Sequence, residues 1–160
     1  MNRNGSREQE DGYAVGWIRG VCIDRQRKAR AERVHVCTAV VQGLEGDVHC
    51  GRGERQVSLL PAEQTAAWFR GRQEEIRFGW FGENLTVEGL DWGSMREGRR
   101  LRSGDVLLEI VKVGAGGPAS DAYQGEKVCA PMEKWFVFCR ILTPGILRED
   151  TQIDWETTEE

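Results

Sequence analysis

Between Gly43 and Leu60 the chain reads G-L-E-G-D-V-H-C-G-R-G-E-R-Q-V-S-L-L, which gathers Glu45, Asp47, His49, Cys50, Arg52 and Arg55 into one glycine-rich loop ahead of an apolar strand. A neutral imidazole at His49 can take a proton from a thiol or substrate, and once charged it can bond an anionic ligand. The arginines supply planar forks suited to phosphate or another oxyanion, with Arg55 the strongest anion-binding candidate, and the glycines let a ligand approach the backbone. Gln56 and Ser58 follow Arg55 into the strand with side chains of the type that hold an oxyanion. Each has a plainer reading: a loop histidine as a structural hydrogen-bonder, Glu45 and Asp47 as turn caps, Ser58 as a strand-edge hydroxyl with no Ser-His-Asp spacing.

A second glycine-rich segment, F-G-W-F-G-E-N-L-T-V-E-G-L from Phe78 to Leu90, places Gly82, Glu83 and Asn84 together. Asn tolerates the left-handed backbone and Glu accepts backbone amides, so the trio suits a tight turn and equally a pocket wall that presents amides to a ligand.

The thiols divide by context. Cys22, Cys37 and Cys139 alternate with apolar strand residues and read as core thiols. Cys50 stands beside His49, and Cys129 follows a loop and sits near Lys127, a cation that favours the thiolate. His49, Cys50 and Cys129 are therefore the catalytic candidates. The five cysteines form no C-x-x-C pair and are odd in number, which argues against a disulfide framework or zinc knuckle.

The elements that must position these residues are mostly short strands. Val15 to Cys22 and Val34 to Val41 have β-branched, apolar content, the second with Val34, Val36, Thr38 and Val40 on one face and His35 and Cys37 on the other. Val57 to Leu60 is a short strand. Pro61 opens a helix carrying Ala66, Ala67, Trp68 and Phe69, which Gly71 ends. Asn84 to Leu90 alternates, Val106 to Val113 is the continuous apolar run of a core strand, and Phe136 to Leu142 is the last strong strand. Gly114 to Val128, rich in Gly, Ala, Pro and Ser, reads as a loop. Short strands punctuated by glycine, with one or two helices, predict a compact, mainly-β barrel. The expected organisation is a disordered tail over 1–12, one barrel domain over 13–154 and an acidic tail over 155–160.

Length and charge narrow the function. The 160 residues suit one domain, and 39% hydrophobic with 30% charged residues fits a globular chain. A net charge of −4 opposes general attraction to a phosphate backbone, so nucleic acid is not an expected partner. The basic run Arg25 to Arg33 reads first as a solvated turn or short helix. No apolar run reaches the roughly 18 residues that span a bilayer, and the polar start lacks a signal-peptide core, so no membrane association and a cytoplasmic location are expected.

The order G-L-E-G-D-x-H, R-Q-V-S-L-L, F-G-E-N-L-T-V-x-G-L and L-x-x-G-D-V-L-L-E-I resembles the MOSC family, named for the C-terminal domain of molybdenum cofactor sulfurases. The resemblance implies a MOSC-type β-barrel with small peripheral helices. It implies a sulfur carrier or transfer protein, or one that binds molybdenum cofactor (molybdopterin), acting through a loop thiolate and an Arg/His anion pocket. On that reading Cys129, within C-A-P-M-E, is the sulfur-accepting thiol and metal ligand, and Arg55, Gln56, Ser58, Gly82, Glu83 and Asn84 line the cofactor site. Trp80 could stack on a pterin. A cysteine desulfurase or a molybdenum-cofactor enzyme is the implied partner, and no pyridoxal phosphate is expected on this short chain. One departure bears on activity: where the family carries G-K-E-C-H after the core strand, this chain has Ala115, Gly116, Gly117 and Pro118. That loss keeps open a degenerate, non-catalytic module binding a pterin, nucleotide or protein partner, and an enzyme of other chemistry using His49 with Glu83 or Asp47.

Overall fold

The computed structural model describes residues 15–26, 30–114 and 127–157, and the side chains of 127–130 are not described. The predicted tail over 1–12 lies outside these residues, as do 115–126 of the predicted loop.

Eleven strands are described: β1 (Gly16–Ile23), β2 (Glu32–Arg33), β3 (Val36–Val40), β4 (Gly43–Leu44), β5 (Val57–Pro61), β6 (Leu85–Glu88), β7 (Arg100–Ser103), β8 (Val106–Val113), β9 (Val137–Thr143), β10 (Gly145–Arg148) and β11 (Thr151–Trp155). One α-helix, α1 (Ala62–Gly71), and two 3-10 segments, Trp92–Ser94 and Lys127–Trp135, accompany them. The order β11-β7-β8-β9-β5-β6-β1 closes on itself because β11 also pairs with β1, so the mainly-β barrel that the strand pattern predicts is a closed one of seven strands. Closure leaves none of the seven with an unpaired edge. A small second sheet, β10-β3-β4, carries the strands that lead into the histidine loop.

Around the barrel every pairing is antiparallel except β5 with β6. Parallel neighbours need a crossover longer than a hairpin turn. Here α1 and residues 72–84 supply it, so the F-G-W-F-G-E-N turn is the return leg of the crossover. Pro61 caps α1 in an extended conformation, and the helix ends at Gly71 as expected.

The helix also explains why β5 is buried on both faces. Val57 and Leu59 point into the barrel with Ile18, Val21, Leu85, Leu101 and Leu108, while Leu60 points outward into an aromatic cluster of Phe69, Phe81, Phe136 and Phe138. A strand covered on both faces reads as a continuous apolar run. The same holds for β9, whose Val137, Cys139 and Ile141 face inward and Phe138 outward.

Two predicted details change. Val34 to Val41 is not one pleated face: His35 takes φ 70°, and β3 begins only at Val36. That left-handed residue resets the alternation, so Val34 packs against the barrel core, Cys37 and Ala39 point inward, and Val36 is exposed. At the C-terminus, β11 continues through Trp155, whose ring packs on the barrel core beneath the Arg99 guanidinium at 3.7 Å.

Candidate functional site

The loop between β4 and β5 is built around the Asp47 side chain. Asp47 Oδ1 accepts the His49 amide at 2.8 Å, an Asx turn that curls the chain back on itself, and it also accepts the His49 ring Nδ1 at 2.9 Å. Gly46, at φ 87°, supplies the left-handed step into this turn. Val48 N donates to the Asp24 carbonyl at 2.7 Å, pinning the loop to the end of β1.

Asp47 Oδ2 completes the set by accepting the Asp24 amide and Asn84 Nδ2, each at 2.9 Å. The carboxylate thus accepts four hydrogen bonds from a fully buried position. Burial pushes its pKa up, but the His49 ring, the amides of Asp24 and His49 and the Asn84 side chain together outweigh that and hold it below the ordinary range.

An ionised acceptor on Nδ1 places that ring proton toward Asp47, which makes Nε2 the basic nitrogen of the neutral ring. His49 remains 43% exposed at the side chain, and the Asp47 contact orients its ring. The pairing of a buried carboxylate with an imidazole is the arrangement that fixes a tautomer and stabilises the imidazolium once formed. Asp47, read from sequence only as a turn cap or an alternative partner for His49, is the residue that orients it.

Behind the dyad lies a buried polar chain. Asn84 Nδ2 also donates to the Cys22 carbonyl at 3.0 Å, and Asn84 Oδ1 accepts the Ser58 amide at 2.9 Å and the Ser58 hydroxyl at 3.3 Å. Gln56 is committed in the same way: its Nε2 donates to the carbonyls of Val41 and Gly53, and its Oε1 accepts the Ile141 amide at 2.8 Å. Glu83 is fully buried in the crossover turn, accepting the amides of Gly79 and Phe81 and the Thr86 hydroxyl, while Gly82 takes φ 87°. Burial raises the Glu83 carboxyl to about 7 against these bonds.

Of the residues predicted to line a cofactor site, Gln56, Ser58, Glu83 and Asn84 therefore have their polar atoms engaged inside the fold. Arg55 is exposed, stacks over the Phe138 ring at 5.2 Å, and like Arg52 forms no ion pair among the described residues. The Trp80 ring already carries cations: Arg30 lies over it at 3.6 Å and Arg77 at 4.7 Å.

The three strand thiols are buried, as their sequence contexts suggest. Cys22, Cys37 and Cys139 are buried free thiols whose pKa burial pushes upward, that of Cys37 to about 12, so none is a thiolate near neutrality. Cys50 is free and part-exposed, and its backbone packs so closely on Gly43 that a β-carbon there would come within 2.8 Å of Cys50 Cα. Cys129 lies in the 3-10 segment Lys127–Trp135, and its side chain is outside the described residues. Among the described residues no group of three His, Cys, Asp or Glu side chains is placed to hold a metal ion.

Asp24 escaped sequence reasoning. It is 6% exposed at the end of β1, brackets the loop through its amide and carbonyl, and has a carboxyl oxygen, Oδ1, that is buried without a hydrogen-bond partner. Burial, then the Asp47 charge, raises its pKa to about 6. An acid closing an apolar strand carries no signature in one dimension.

A separate concavity of about 380 Å³ lies between α1 and the outer wall of β1 and β6, floored by Ala62, Ala66, Ile76 and Phe78. Its rim charges are already paired, Arg19 with Glu88 and Asp150 and Glu63 with the Gly89 amide.

Residues 45–114, which include the histidine loop and the crossover turn, match the family model for the MOSC domain. The YuaD protein from Bacillus subtilis has the same fold, with a TM-score of 0.72 at 17% identity over 92% of this chain and 98% of that one. YiiM from Escherichia coli gives 0.63 at 18% identity, covering 92% and 71%, and YiiM from Geobacillus stearothermophilus gives 0.67 at 17%, covering 89% and 75%. At these identities the likeness is one of fold. No match was found among curated proteins.

Proposed function

With a MOSC domain as the premise, we propose that this protein carries or transfers sulfur at the mouth of its barrel, with His49 as the base that generates the attacking thiolate. The observation that supports this reading is the Asp47–His49 dyad, which places an oriented imidazole beside Cys50 and the arginine loop.

In the proposed reaction the His49 imidazole takes the proton of the acceptor thiol, which is Cys50, its neighbour in the chain, or Cys129. The thiolate attacks the sulfane sulfur of a donor persulfide, the donor's S–S bond breaks, and its thiolate leaves as the acceptor becomes a persulfide. Imidazolium at His49, stabilised by Asp47, holds the transferred proton until the donor thiolate takes it. Arg55 binds the anionic group of the donor or acceptor. A cysteine desulfurase is the matching class of donor.

Molybdenum cofactor is the family's other associate. Among the described residues its phosphate would meet the exposed Arg52 and Arg55, while Gln56, Ser58, Glu83 and Asn84 are engaged inside the fold, so no step is derived through it. When bound, such a group would supply a metal able to exchange sulfur ligands. The engagement of Gln56, Ser58, Glu83 and Asn84 inside the fold favours a second reading, a binding module whose ligand is held by the arginine loop alone.

The test is anaerobic mass spectrometry of the full chain after incubation with a cysteine desulfurase and cysteine. A cyanide-labile sulfur adduct on Cys129 or Cys50 that is lost in the matching Cys→Ser variant, and is formed at least tenfold more slowly in His49→Ala, is the expected result. Undiminished loading in both Cys→Ser variants, or no loading at all, would sink the carrier reading. Ligand binding that survives removal of every cysteine but fails in Arg55→Ala would instead establish the module.

A further inference from the structure

The Asp47–His49 dyad is not the whole charged site. Asp47 has no capacity left: each of its oxygens already accepts two hydrogen bonds, and the set holds it ionised. Asp24, directly behind it, is in the opposite condition. Its amide donates to Asp47 Oδ2, which places the residue against the same carboxylate, yet its own Oδ1 is buried with no partner. A buried carboxylate oxygen without a donor is expensive to ionise, and a neighbouring anion makes it more so.

We propose that Asp24 is a positioning residue of this site, a second buried carboxyl behind Asp47 whose charge is coupled to that of His49, so that an ionised Asp24 favours the imidazolium and the imidazolium favours an ionised Asp24. The reasoning is electrostatic. With His49 neutral, burial and the Asp47 anion disfavour the Asp24 carboxylate. Once His49 carries a proton, the imidazolium favours the Asp24 carboxylate.

Among the described residues, few titratable or charged groups face Asp24. Asp47 and His49 come from the loop. Cys37, on β3, lies near Asp47 and is a neutral buried thiol. Arg25, the next residue, is exposed and directs its Nε to Glu32 at 2.9 Å. The carboxyl's displacement to about 6, raised by burial and Asp47 and lowered by His49, is consistent with the geometry.

The role of this coupling in proton transfer rests on the proposed function, but its test does not. In the full-length protein without substrate, the ring Cε1–H resonance of His49 is followed by NMR from acid to alkaline pH in the wild type and in Asp24→Asn. The only other histidine, His35, pairs with Glu149 at 2.9 Å and serves as the internal reference. Loss of the Asp24 charge is expected to move the His49 midpoint to lower pH and to leave His35 in place, which a merely structural role would not do. Linkage is reciprocal, so in His49→Gln the Asp24 side-chain carbon should titrate at higher pH than in the wild type. His49 is part-exposed, so this arm remains decisive even if Asp24→Asn fails to fold. An unmoved His49 midpoint in Asp24→Asn, or an unmoved Asp24 midpoint in His49→Gln, would overturn the proposal. A sulfur-loading failure with both shifts intact would count against the proposed function alone.

Discussion

At the scale of single residues the site depends on Asp47 more than on any group with its own reactivity. Two of its four donors, the Asp24 amide and Asn84 Nδ2, are buried and have this acceptor in common. Asp47→Ala would strip both and is expected to destabilise the protein by about 2–4 kcal/mol, read as the loss of unfolding free energy in urea. Asp47→Asn is milder in size but reverses one contact, because an amide NH2 must now face a donor. We expect it to cost about 1–3 kcal/mol and to lower the His49 midpoint by removing the adjacent anion. His49→Ala, by contrast, should change stability by less than about 1 kcal/mol while removing the base. A His49 variant as unstable as Asp47→Ala would recast the histidine as a structural hydrogen-bonder.

At the scale of elements, the crossover turn between α1 and β6 is held by backbone as much as by side chains. Gly79 has φ 85°, accepts the Ala31 amide at its carbonyl at 2.9 Å, and would drive a β-carbon into the Ala31 carbonyl oxygen. Gly98 has a similar φ of 93° but open space around it. The pair separates two costs. Gly98→Ala should lose only the conformational cost of about 1 kcal/mol, while Gly79→Ala adds a clash with immobile backbone and should lose more than about 2 kcal/mol. Thermal midpoints of the two variants, measured side by side, check this. Equal losses would mean that the 30–31 segment yields to accommodate the turn. The Glu83 side chain, which bonds the Gly79 and Phe81 amides, explains why an acid is tolerated at a fully buried position.

At the scale of the whole molecule, buried carboxyls of opposite behaviour predict an acid-shifted stability optimum. Glu149 ties β1, β2 and the β10–β11 turn together. Burial pushes it up, but Arg33, His35 and the Val21 amide outweigh that and hold it at about 2. Its contribution is present above its unfolded pKa near 4.5 and is lost as pH falls toward 2. Asp24 and Glu83 run the other way, raised to about 6 and about 7. Their folded forms bind protons that the unfolded chain has released, so stability declines as pH rises from about 4 through 7. Thermal unfolding across pH 3 to 8 should therefore peak near about pH 5, with a shallower alkaline decline in Glu83→Gln. A plateau from 5 to 8 would show that neither acid is perturbed.

Much of the architecture is present in the one-dimensional pattern. Continuous apolar runs at Val106–Val113 and Val57–Leu60 announce strands covered on both faces, Pro61 and Gly71 bracket the helix, and the glycine spacing around G-D-x-H and F-G-E-N carries the MOSC resemblance, because turns with positive φ admit few residue types. Local chemistry determines all of these. The tertiary structure alone decides what is long-range. It joins Asp47 to Asn84 across 37 positions and Asn84 to Ser58 across 26, turning candidate ligand residues into an internal polar chain. It resets the face of β3 at His35, and it places Asp24 behind the histidine loop. Sequence spacing encodes which residues can turn, cap or pack. Which buried donor meets which acceptor depends on how strands distant in the chain come into register, and only the closed barrel specifies that.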